Sequence, residues 1–243
     1  SEAVKAGKNV VHYTLELSEA VTGQRYDSCI SGIPLNSLYD MKDDVLEGIS
    51  DVEGSLIIKE YPTKTASPTT IRAHLEKLKK RNHKIDLILV DYADLLRPCR
   101  NFKEKRNELE SIYENLRAVA QEYECPLWTA SQTNRTGLNA EVVTMESISE
   151  AFNKCFVADF ICSISRTVKD RNNNEGRLYI AKNRNGPDGL VFPIFMDTAN
   201  VKIQVLAKVD TPIINTASSS ADLSKSLQDK YKQFRQAKKQ NLG

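Results

Sequence analysis

The chain of 243 residues suits one large α/β domain or two small ones, and 40% hydrophobic with 27% charged residues is the balance of a soluble globular protein. A net charge of only +2 excludes a global electrostatic field, so any nucleic-acid site must be a local basic patch. No apolar run reaches membrane-spanning length and no signal-peptide pattern is present, which argues against a membrane or secreted protein and for the cytoplasm. Five scattered cysteines without a C-x-x-C pair exclude a zinc spacing and read as buried free thiols.

Residues 1–7, SEAVKAG, read as the last turns of a helix ending at a glycine. Residues 9–15, NVVHYTL, form a β-rich apolar run that ends at Glu16. Ser18 is a fair N-cap for a helix that stops near Gly32, and residues 34–49 read as further helix. Residues 55–59 are a second strand. Ser67 and Pro68 then open a helix with Ile71, Leu75 and Leu78 on one face. The continuous apolar run Leu87 to Val90 predicts a central parallel strand covered on both faces. A long amphipathic helix carries Leu109, Ile112, Tyr113, Leu116, Val119 and Ala120, and residues 126–130, PLWTA, read as another buried strand. Strands at 158–164, 176–181, 190–196 and 201–206 then follow one another. Alternating strands and helices followed by consecutive strands predict an α/β fold, a mostly parallel sheet with antiparallel strands added at its C-terminal end. The expected boundaries are a domain over 1–210, a linker over 211–221 and a basic tail over 222–243, either solvated or a docking helix.

Three polar residues end three strands. Asp91 closes an apolar strand, where a carboxylate can hold Mg²⁺ through water. Glu16 could orient and deprotonate a water, and Gln132 could sense a γ-phosphate. Ligands of open α/β sheets sit beyond the carboxyl ends of the strands, so these three should share one rim. Lys182 and Arg184, at the end of the strand YIAKNR, should share a face roughly 6–7 Å apart. Asn185-Gly186 predicts a tight turn stiffened by Pro187. The hairpin is either a solvated basic tip or a pair of phosphate fingers, for which an inserted arginine can be worth about 10³–10⁵ in rate.

YTLELSE, LILVDYADLLRP, SQTNR and IAKNRNGPDGLVFPIF together resemble the motifs of DnaB-like replicative DNA helicases of bacteria and phages, in family order over residues 1–206. The resemblance implies a RecA-like ATPase fold and a 5′–3′ type motor that binds ATP and Mg²⁺. It implies a homo-oligomeric ring, usually a hexamer, moving on single-stranded DNA, with primase and a helicase loader as partners. By position it makes Glu16 the catalytic glutamate, Asp91 the magnesium aspartate and Gln132 the γ-phosphate sensor. Lys182 and Arg184 would then reach the nucleotide of the adjacent subunit.

Two departures qualify it. No G-x-x-x-x-G-K-[ST] loop occurs, so the expectation is that the phosphate loop lies ahead of residue 1 and that this stretch does not hydrolyse ATP unaided. Where the bacterial enzymes carry an arginine-glutamate-x-glycine DNA loop, ISEAFN keeps only Glu150, as a divergent phage enzyme would. Backbone gripping needs cations without a base code. The favoured candidates are Arg97, Arg100, Lys103, Lys105 and Arg106 after the Asp91 strand, and Arg135 with Glu150 after the Gln132 strand. A loop with Lys169 and Arg171 ranks below them. Two other readings stand beside the helicase: another RecA-type DNA-dependent ATPase, and a non-catalytic RecA-like scaffold.

Overall fold

The computed structural model describes residues 1–133, 142–145, 153–206 and 217–240, with the side chains of the last helix described over 225–237. The chain forms two compact units. The first comprises Ser1–Gln132, Ser149–Ala158 and Ala199–Val201, the second Thr133–Ile148, Asp159–Thr198 and Lys202–Gly243.

The first unit is built on a parallel sheet of β1 (Val10–Thr14), β2 (Leu56–Glu60), β3 (Leu87–Asp91) and β4 (Leu127–Thr129), in the order β2-β1-β3-β4. A short α1 (Glu2–Lys5) ends just before Gly7, whose φ is +72°, and leads into β1. Helix α2 (Glu19–Ser31) is capped by the Ser18 hydroxyl, which accepts from the Val21 amide. It stops at Gly32, whose φ of +80° is open to glycine without steric cost. The next stretch is not one helix. A 3₁₀ turn over Leu35–Ser37 precedes α3 (Lys42–Ser50), because Pro34 starts the first turn and no side chain caps the second.

Helix α4 (Pro68–Lys80) has a reciprocal Ser67–Thr70 capping box with proline in its first turn. Helix α5 (Lys105–Glu122) buries Leu109, Ile112, Leu116 and Val119, one face at helical spacing. These side chains join Ile71 and Leu75 of α4 and Val11, Tyr13, Ile88 and Val90 of the sheet in the main core. Tyr13 stacks on Tyr61 and its hydroxyl meets His74 Nδ1 at 2.8 Å. Two expectations fail in detail. Leu87 and Leu89 are only half-buried, and Trp128 is 48% exposed on β4, which is an edge strand of this sheet among the described residues. A short helix that periodicity did not reveal, α6 (Asn153–Val157), is tied to α5 through Asn153, which accepts from Arg106 and donates to Glu110.

The second unit holds an antiparallel sheet of β5 (Phe160–Ser165), β6 (Glu175–Asn183), β7 (Val191–Asp197) and β8 (Lys202–Val205), each strand pairing with the next. Between β5 and β6 lies α7 (Val168–Asn172), capped by Thr167, where sequence suggested a plain loop. The basic C-terminal stretch is a docked helix, α8 (Ala217–Gln240). Its Leu227 and Tyr231 are buried with Val191, Phe234 packs on Phe195, and the Tyr231 hydroxyl donates to the Gly176 carbonyl. Burying two such side chains contributes about 1.5–3 kcal/mol each. All five cysteines are free, and Cys99 is exposed rather than buried.

Candidate nucleotide site

In the first unit the parallel register brings three sequence-predicted residues to one edge. Thr14, the last residue of β1, lies opposite Asp91, the last of β3, and Val90 lies opposite Thr129 of β4. Glu16 therefore emerges two residues past the partner of Asp91, and Gln132 three residues past the end of β4. The chain passes from β1 to β2 on one side and from β2 to β3 on the other, so the connections diverge between β1 and β3. A cleft at such a point is where open α/β sheets take ligands.

Local contacts hold each of the three. The Thr14 hydroxyl donates to the Leu17 carbonyl and accepts from its amide, closing the turn that carries Glu16. The Leu15 amide donates to the Asp91 carbonyl, and Thr63 donates to the Leu15 carbonyl. The side chain of Glu16 is left exposed. Gln132 donates its amide to the Tyr92 hydroxyl at 2.9 Å, next in sequence to Asp91. The Ala93 amide donates to Thr129 Oγ1 at 2.9 Å, so the residues after β3 and the end of β4 are joined at successive positions. Beside Glu16, Glu19 and Glu60 each accept the other's backbone amide. The Glu60 amide, with help from Lys59, holds the Glu19 carboxyl below its usual range.

The family model described as the DnaB-like helicase C-terminal domain matches residues 1–201. The chain belongs to this family. The "DnaB-like replicative helicase" of enterobacteria phage T4 is 31% identical over 179 residues, covering 69% of this chain and 38% of that protein. The "Replicative DNA helicase DnaB" of Pasteurella multocida is 32% identical over 138 residues, 51% of this chain and 28% of that protein. The chain thus spans well under half the length of either relative. Two solved structures share the fold at 18% identity. One, described as an ATPase domain, has a TM-score of 0.70 over 84% of this chain and 76% of its own. The other, a DnaB-like replicative helicase described with its interactions with primase, has 0.69 over 82% and 51%. The α/β architecture is therefore the RecA-like one of DnaB-like ATPase domains.

The other residues flagged in this DnaB-like domain divide between the two units. In the second unit, Lys182 lies opposite Ile161 near the end of β6, and a bulge at Ala181 separates it from the regular ladder. Arg184 is one residue beyond the strand, half exposed, and pairs with Asp159 at 2.6 Å. The turn differs from the one expected. Asn185 and Gly186 do not take the positive φ of a two-residue hairpin, and the left-handed residue is Gly189, at φ +70°. Asn183 shapes the tip instead, its side chain accepting from the Asn185 amide and donating to the Pro187 carbonyl.

Of the proposed DNA contacts, Arg97, Arg100, Lys103, Lys105 and Arg106 are all exposed in the first unit. Arg97 Nε donates to the Thr65 carbonyl, Arg100 lies 4.9 Å over the Phe102 ring and Arg106 holds Asn153. Arg135 and Glu150 lie outside the described residues. Sequence reasoning missed a polar cluster behind Gln132. Lys154, 2% exposed, pairs with Asp94 at 2.8 Å, and Asp94 also accepts from Tyr113 at 2.8 Å and from Ser131 at 3.4 Å. Asp94 was visible three residues after Asp91, but nothing in NKCFV marks its lysine as buried.

Proposed function

We propose that this domain is the motor of a ring-forming replicative helicase that hydrolyses ATP and moves along single-stranded DNA in the bacterial or phage-infected cytoplasm. Family membership supplies the class. The observation that carries the reading is the convergence of Glu16, Asp91 and Gln132 on one edge of a parallel sheet, at the point where the connections diverge.

The donor chemistry fits a magnesium nucleotide. Asp91 offers hard carboxylate oxygen, and no group of three metal-binding side chains occurs among the described residues. That suits an ion held mainly by phosphates and water, with one protein carboxylate. Bound there, magnesium would neutralise charge on the phosphate oxygens. Glu16, pinned by its turn and facing solvent, accepts the proton of the attacking water. The Gln132 amide hydrogen-bonds the terminal phosphate and reports its loss. Lys182 and Arg184 of a neighbouring subunit stabilise the charge that builds on the transferred group. The Arg184–Asp159 pair is exposed and worth about 0–1 kcal/mol, so the guanidinium can exchange its carboxylate for a phosphate at little cost. Arg97, Arg100, Lys103, Lys105, Arg106, Arg135 and Glu150 are proposed for the DNA-facing loops. Primase and a loader are proposed as partners.

The test is strand displacement by the full-length protein on a forked DNA substrate with ATP and magnesium. The reading expects unwinding of one polarity, and loss of it in Glu16→Gln while nucleotide still binds. ATP turnover and DNA binding without displacement would favour another RecA-type ATPase, and failure to bind nucleotide would favour a scaffold.

A further inference from the structure

A cavity of about 570 Å³, lined only by residues of the second unit, lies between α7, the start of β6 and α8. That is the size of a small-ligand pocket. Part of its lining is charged and buried. Arg177, 6% exposed, gives both Nη atoms to Asp170, at 2.7 and 3.5 Å, and Glu175 pairs with Arg235 of α8. Leu227 and Tyr231 add an apolar wall, with the Tyr231 hydroxyl committed to the Gly176 carbonyl. Burial raises that phenol to about 12, so the wall stays neutral near pH 7.

Two features leave this lining short of negative charge. Its two acids, Asp170 and Glu175, are each taken by one arginine, while Lys169 and Lys232 contribute two further cations. Lys232 meets Asp229 of its own helix only at 3.7 Å and in solvent, a contact worth little. The second feature is the Arg177 Nε, which is buried with no acceptor among the described residues. A buried donor left unmet is costly, more so on a charged group. An oxyanion in the cavity supplies both the missing charge and an acceptor. Phosphate suits the set best, because its several oxygens can serve a guanidinium and two ammonium groups at once.

We propose that this cavity binds a phosphate-bearing small molecule, its phosphate held by Lys169, Arg177 and Lys232 and its organic part set against Leu227 and Tyr231. The site is independent of the motor reading given above. Lys169 and Arg177 belong to α7 and β6, whereas Leu227, Tyr231 and Lys232 belong to α8. The occupant therefore bridges the C-terminal helix to the sheet, and its binding stabilises the docked helix by mass action.

The test is amide exchange of the full-length protein, without magnesium, in inorganic phosphate against chloride at matched ionic strength. Phosphate should slow exchange over residues 225–237 of α8, and phenyl phosphate, which adds an apolar body, should do so at lower concentration. Lys169→Ala/Lys232→Ala alters only exposed side chains and should leave exchange in chloride as in the wild type. It should raise the phosphate concentration needed for protection by about 10–100-fold. Arg177→Lys keeps a cation for Asp170 but removes the Nε donor, and should weaken the protection as well. Equal exchange in phosphate and chloride would overturn the site, and so would protection of α8 that survives both variants. Inorganic phosphate acting at concentrations as low as phenyl phosphate would overturn the role given to the apolar wall.

Discussion

The two sheets of this chain carry their candidate functional groups in opposite ways. In the parallel unit the groups are acids and an amide at strand ends, each pinned by short contacts behind it, above a core of fully buried side chains such as Ile88, Leu109 and Leu116. In the antiparallel unit they are two cations near a hairpin tip. Its sheet leaves Ile164, Ile203 and Val205 about half exposed, and its buried cluster leans on α8. The parallel strands place theirs along one edge of the sheet. At the tip, Arg184 meets Asp159 in an ion pair that is itself half exposed. Under the motor reading proposed above, the rim of one subunit and the tip of its neighbour would together enclose the nucleotide.

The largest expected effect lies at the tip. Arg184→Ala should lower ATP turnover by about 10³–10⁵ in the full-length protein with nucleotide affinity retained, measured by steady-state hydrolysis and fluorescent-nucleotide binding. At the rim, Glu16→Gln should lower turnover by about 10²–10⁴ and also leave binding intact. If Arg184→Ala weakened nucleotide binding while sparing turnover, the contrast between rim and tip would fail.

Stability should follow the same division. Leu116→Ala, in the parallel core, should cost about 2–5 kcal/mol in urea unfolding. Val205→Thr, on the exposed edge of the antiparallel sheet, should stay within about 0.5 kcal/mol. Equal losses would mean that the second sheet is packed as firmly as the first.

The smallest effect is a pH dependence confined to one unit. The chain's histidines, at positions 12, 74 and 83, all lie in the first unit. Burial holds His12 and His74 below their ordinary values. The unfolded chain then binds protons that the folded one refuses once the pH drops below about 6.5. Stability contributed by these residues is complete above that pH and declines beneath it. Amide exchange at pH 5.5 against pH 7.5 should therefore show the first unit opening more readily in acid, and His12→Gln should reduce the difference. Greater acid sensitivity in the second unit would contradict this.

Most of the parallel unit was legible in the sequence because its signals are local. Ser67-Pro68 marks a helix start, Leu109 to Val119 marks a buried face, and a polar residue after each apolar run marks a strand end. The convergence of Glu16, Asp91 and Gln132 then follows from the parallel-sheet rule. What stayed hidden depends on packing between segments distant in sequence. Lys154 looks like a surface lysine until Asp94, sixty residues earlier, is placed beside it. The 3₁₀ break after Pro34 and the exposure of Trp128 reflect missing caps and an edge position, which composition does not report. Asn185-Gly186 promised a tight turn, but Asn183 and Gly189 outcompete it by supplying a side-chain cap and the left-handed backbone.

The shared site is tested most directly by mixing Arg184→Ala subunits with Glu16→Gln subunits of the full-length protein and measuring ATP turnover. Each variant alone is expected to be inactive. In mixed rings some interfaces pair an unaltered rim with an unaltered Arg184, so turnover should rise above that of either variant. No recovery, in mixtures verified to co-assemble, would place Arg184 in the same protomer as the nucleotide it serves and contradict the account.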